Sequence, residues 1–124
     1  MRVYHLPYPP SLNHYYRRVG PRTLISREGR TYRRKVADIV ASRCEEPLDG
    51  PLELHAEVYP PDRRRRDLDN TLKSLQDALE KGGAYHDDSQ IQRLVVEKRQ
   101  PVKGGAMIVR LNAADDEKWW EDNA

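Results

Sequence analysis

The sequence predicts a single α/β domain, a mixed β-sheet with two helices packed on one face. Three observations carry this reading. Leu52, Leu54, Ala56 and Val58 alternate with Glu53, His55, Glu57 and Tyr59, and Met107, Val109 and Leu111 alternate in the same way, which is the period of a half-buried strand. Two other segments repeat apolar residues at helical spacing. The chain is 124 residues long, enough for one domain with a real core and too short for two. The expected order is β, α, β, α, β, β, with the domain over 1–114 and an acidic tail over 115–124. That tail is expected to be disordered or docked only by Trp119 and Trp120.

Arg2 to Leu6 reads as a short strand ended by Pro7. The stretch YPPSLNHYYRR reads as a loop, with Pro9, Pro10 and Asn13 as breakers. Its end places Tyr15 and Tyr16 beside Arg17 and Arg18, a pairing suited to stacking on bases and gripping phosphates. Tyrosines covering a core edge beside solvated arginines are the other reading.

Ser26 can cap a helix that starts near Arg27. Tyr32, Val36, Ile39, Val40 and Cys44 fall on one face of it, and Arg30, Arg33, Arg34 and Asp38 on the other. Cys44 is therefore expected to be a small buried hydrophobe. Pro47 and the LDGP turn end the segment. His55 lies on the polar face of the next strand, exposed or hydrogen-bonded. The second helix is expected from about Leu68 to Lys81, with Leu68, Leu72, Leu75 and Leu79 as its stripe and Gly82 and Gly83 as its stop. Ile91–Lys98 is rich in β-formers, and it is expected to form a hairpin with the last strand across Pro101–Gly105.

Charge narrows the partners. Charged residues make up 34% of the chain and mean hydropathy is -0.94, so the surface is strongly polar. The formal net charge of +2 hides an asymmetry. The tail holds five acids and one lysine, a net of -4, which leaves +6 on residues 1–114. A basic body points to a polyanion. One cysteine excludes an internal disulfide and a zinc site of its own. No apolar run approaches membrane-spanning length and no signal-peptide core opens the chain, so a cytoplasmic protein is expected.

The chemistry concentrates in RRRRDLDNTLKSLQDALEKGGAYHDD, Arg63 to Asp88. Arg63, Arg64, Arg65 and Arg66 run directly into Asp67 and Asp69. Phosphodiester hydrolysis needs an activated water and a stabilised leaving oxygen. Hard divalent cations provide both, and magnesium prefers carboxylate oxygens. Asp67 and Asp69 stand at a loop-to-helix junction, where two acids one residue apart can converge, and Asp88 would close the cluster. Lys73, one turn beyond Asp69, could stabilise charge or orient water. Asn70 could hold a phosphate oxygen or a water. The plain readings are a helix cap at Asp67, an i,i+4 ion pair between Asp69 and Lys73, and turn residues at Asp87 and Asp88. Four adjacent arginines repel one another, which favours a site that holds phosphate beside carboxylates.

RRRRDLDN, then Lys73 and Asp77, a glycine stop and HDDSQI, resembles the RusA-type Holliday junction resolvases of bacteria and their phages. PPSLNHYYRR and PVKGG resemble the same family, and the likeness runs from about residue 4 to 111. It implies a small α/β homodimer that cuts four-way DNA junctions with magnesium, manganese substituting. It further implies that Asp67, Asp69 and Asp88 are metal-binding catalytic acids and that Lys73 is a catalytic lysine. Asn70 and Asp87 match motif positions without a clear role. The tail with its two tryptophans departs from the family.

Overall fold

The computed structural model describes residues 1–114; the tail, with Trp119 and Trp120, lies outside the described residues. The chain runs β1 (Arg2–Leu6), α1 (Leu12–Tyr15), β2 (Tyr16–Val19), β3 (Arg22–Ile25), α2 (Arg27–Ala41) and β4 (Leu52–Tyr59). A 3-10 turn over Leu68–Thr71 leads into α3 (Leu72–Lys81), and another over Asp88–Gln90 leads into β5 (Ile91–Lys98) and β6 (Ala106–Ala113). The main sheet has the order β1-β6-β4-β5, with β4 parallel to β5 and antiparallel to β6. It is mixed, as expected, and β4–α3–β5 is its one parallel crossover.

The core forms where apolar faces coincide. Leu52, Leu54, Ala56 and Val58 from β4 join Met107, Val109 and Leu111 from β6 and Tyr4 and Leu6 from β1. Against them pack Tyr32, Val36 and Val40 of α2 and Leu75, Ala78 and Leu79 of α3. Burying side chains of this size contributes about 1.5–3 kcal/mol each relative to exposure. Ser26 caps α2 as expected: its hydroxyl accepts the Gly29 N–H at 2.9 Å and donates to Tyr15 O at 2.9 Å. Gly29 must lack a side chain, because a Cβ there would stand 2.4 Å from Tyr15 O.

Three expectations are corrected. β5 and β6 do not form a hairpin, because β4 lies between them. β4 is almost wholly buried and so takes a partner on each edge. The loop after β5 steps over the end of β4, with Arg99 N–H donating to Val58 O and Val102 N–H to Pro60 O. The stretch after Tyr15 is not a loop but the hairpin β2–β3, turned by Gly20 at φ 60 and Pro21. Positive φ followed by proline suits a two-residue primed turn. Cys44 is exposed, not buried. α2 ends at Ala41, and Cys44 lies beyond it at φ 52, off the helical stripe.

Candidate metal and nucleic-acid site

α3 connects the two halves of the acidic segment. Asp67 and Asp69 precede it, and Asp87 and Asp88 follow the Gly82–Gly83 stop. Ten residues of helix span about 15 Å. Among the described residues, the carboxylates that lie close enough together to share an ion do not include Asp67 or Asp69. Asp88 is instead grouped with Glu80 and Asp87, whose ligand oxygens all lie within 4.8 Å of one another. The Asp88 N–H donates to Glu80 Oε1 at 2.8 Å.

Glu80 was missed in the sequence. The signal was present: Lys73, Asp77 and Glu80 recur at i, i+4 and i+7, which is one helical face. The donors are all carboxylate oxygens, the set that a hard cation such as magnesium takes. Burial, then the charges of Glu80 and Asp87, raise the Asp88 carboxyl above its usual range, while the Lys73 ammonium lowers it. Like charges crowded this way favour a bound cation. Lys73 is exposed and close enough for its charge to act on Asp88.

Asp87 is a structural residue in addition. Its carboxylate accepts the Ser89 N–H at 2.8 Å, while Gln90 Oε1 accepts the Asp87 N–H at 2.9 Å, a reciprocal capping box. Gln90 Nε2 also donates to Leu48 O and Gly50 O, which ties this turn to the start of β4.

The plain readings of Asp67 and Asp69 do not hold. Asp67 occupies the N-cap position of the first 3-10 turn, yet its side chain caps nothing. Asp69 makes no ion pair with Lys73 among the described residues. Both carboxylates are exposed. Each desolvated carboxylate needs a partner, and exposed ones can wait for an incoming cation.

The arginines divide by partner. Asp62 grips Arg66 at 2.5 and 3.0 Å, and Arg64 at 3.2 Å. Arg66, then the Arg64 backbone N–H, hold the Asp62 carboxyl far below its usual range. Arg63 and Arg65 are exposed and form no ion pair among the described residues. Arg64, Arg65, Asp67 and Asn70 line a groove of about 700 Å³ together with Arg27 and Lys35 of α2. A cationic groove leading to carboxylates can take a phosphate backbone.

Tyr15 is corrected as a stacking residue. Its ring is 0% exposed, so no base can reach it. Its hydroxyl donates to Asp77, and Arg33 Nε reaches that hydroxyl at 2.9 Å and Asp77 Oδ2 at 2.8 Å. Asp77 thus anchors α3 to α1 and α2. Tyr16 meets Tyr15 edge to face at 4.9 Å and is half-buried. Arg17 and Arg18 are exposed on β2. His55 is hydrogen-bonded, 2.5 Å from Glu97.

The family model described as Endodeoxyribonuclease RusA matches residues 7–112. The chain is 43% identical over 120 residues to the crossover junction endodeoxyribonuclease rusA of Enterobacteria phage 82, covering 94% of this chain and all of that protein. It is 42% identical over 113 residues to the crossover junction endodeoxyribonuclease RusA of Escherichia coli strain K12, covering 90% and 94% of the two chains. The relative of the same name from Shigella sonnei strain Ss046 is 42% identical over the same spans.

Proposed function

The chain belongs to the RusA family of endodeoxyribonucleases, and on that premise we propose that it is a magnesium-dependent, structure-specific endonuclease that resolves four-way DNA junctions by paired phosphodiester hydrolysis, acting as a homodimer in the cytoplasm. Its substrate is branched DNA, and manganese can replace magnesium. One observation carries the reading: Asp88 is crowded by Glu80 and Asp87 while the charge of Lys73 reaches it.

Asp67, Asp69 and Asp88 hold the metal in this reading, with Glu80 orienting Asp88 through its backbone N–H. Binding the ion would draw the two exposed acids before α3 toward Asp88 beyond its end. Magnesium, when bound, supplies Lewis acidity toward the phosphate oxygens and the attacking water. Lys73 stabilises negative charge that develops at the scissile phosphate. Arg63 and Arg65, without ion-pair partners among the described residues, take DNA phosphates. Arg64 and Arg66, ordered by Asp62, shape the groove that leads the strand toward Asp67 and Asn70. Tyr16, Arg17 and Arg18 extend the DNA-facing surface onto the β2–β3 hairpin. A resolvase must cut two strands, and a two-fold dimer places two identical sites in the required relation.

The test is cleavage of a synthetic four-way junction by the purified full chain with and without magnesium. Paired, symmetry-related cuts that require the metal are expected. Equal cutting of flaps, forks and linear duplex would overturn junction specificity, and no magnesium-dependent cutting would overturn the enzyme reading.

A further inference from the structure

The two edges of the main sheet differ. β1, at one edge, has five residues, and the Arg43 guanidinium donates to its Val3 O at 2.9 Å. β5, at the other, has eight residues and no proline. Its register against β4 runs unbroken from Arg93 to Lys98. Arg99 N–H points inward to Val58 O. Backbone groups alternate in direction along a strand, so those of Leu94, Val96 and Lys98 point outward. Among the described residues, these three have no backbone partner on that side. Leu94 is also 41% exposed, although it is the register partner of the fully buried Leu54. An edge that leaves these outward backbone groups unpaired is a template for another strand.

We propose that this edge is the dimer interface, where β5 pairs antiparallel with β5 of a second copy to make a continuous eight-stranded sheet. The inference rests on the homodimer reading above and names its surface. The sequence is self-complementary about Val95. With Val95 opposite its own copy, Leu94 faces Val96, and Arg93 faces Glu97. Cross-strand apolar and opposite-charge pairs of this kind stabilise a sheet. In this register Leu94 and Val96 exchange the outward N–H and C=O groups, and the two Val95 residues form the close, non-hydrogen-bonded pair.

The arrangement also orients the two sites. A two-fold axis normal to the sheet keeps both helical layers on the same side. Each acidic cluster lies at the start of its β5, and Ile91 stands four residues from the axis. At about 3.3 Å per residue the two Ile91 positions are about 26 Å apart along the strands. Both clusters then face one substrate.

The experiment uses the full chain in two variants. Val95→Cys in a Cys44→Ser background should form an intermolecular disulfide under mild oxidation and run as two copies of the 14.5 kDa chain. Leu94→Pro removes an outward N–H that β4 does not use, so far-UV circular dichroism should be unchanged while the sedimentation dimer dissociates at least tenfold more readily. A wild-type dimer that gives no Val95→Cys cross-link, and whose dissociation is unchanged by Leu94→Pro, overturns the β5 interface and leaves the homodimer reading standing. A wild-type chain that sediments as a monomer on a four-way junction overturns both.

Discussion

Asp88 is tied to Glu80 across the end of α3, its backbone N–H donating to Glu80 Oε1 at 2.8 Å. The helix that carries Lys73 therefore also sets the position of the last acid. Replacing Glu80 with Gln removes one carboxylate charge and keeps an amide oxygen as acceptor. Losing such an orienting group typically costs 10–100-fold in metal affinity or activity. Junction cleavage should fall by about that range with a higher magnesium requirement, read from a metal titration. Unchanged cutting at limiting magnesium would remove Glu80 from the site.

Among the described residues, the Asp67 and Asp69 carboxylates form no hydrogen bond or ion pair, so only their backbones serve the fold. Asp67→Asn and Asp69→Asn should leave stability within about 0.5 kcal/mol of wild type in urea unfolding. Each should abolish junction cleavage and leave junction binding intact, because removing a carboxylate also removes repulsion of phosphates. A large loss of stability, or near-normal cutting, would show that these acids serve the fold or nothing.

Arg63 and Arg65 should behave differently from Arg64 and Arg66. Replacing the first pair with Ala should lower the slope of log affinity against log salt by about 0.9 for each phosphate that is no longer neutralised. Replacing the second pair releases Asp62 from both partners and should change the slope less. Binding measured from low to moderate salt decides this, and equal slopes for the two double variants would contradict it.

Glu57 predicts a pH dependence. It is nearly buried on β4, where Arg110 and Arg99 hold its carboxyl down to about 2. The unfolded chain titrates it near the ordinary value of about 4.3. Its folded pKa is depressed, so its contribution is full above that ordinary value and is lost as pH falls through about 2. Glu57→Gln should be less stable than wild type at pH 7, and the gap should narrow between about pH 5 and pH 2. Parallel unfolding curves for the two proteins across that window would contradict the assignment.

Much of the fold was legible because burial writes a period into the chain. β4 and β6 alternate cleanly, and α2 and α3 carry apolar stripes, since each packs one face on the core. The β2–β3 hairpin left no such trace. Its strands have four residues each and are mostly exposed, so no apolar face records them. Cys44 misled because a helical stripe can be extended on paper past the point where the backbone turns.

The sequence by itself determined the α/β class, the two helices with Ser26 as a cap, and the concentration of acids and arginines between Arg63 and Asp88, since local spacing and charge are properties of the chain alone. Strand order was decided only in three dimensions. β4 needs a partner on each edge, and that demand separated β5 from β6. The same is true of the site. Residue types near Asp88 were readable, but which carboxylates meet depends on how far α3 carries the chain before it turns. That turn placed Glu80 beside Asp88. Burial of Tyr15 under Arg33 and Asp77 was likewise a consequence of packing, because an aromatic next to cations has the same local pattern whether its ring faces a base or the core.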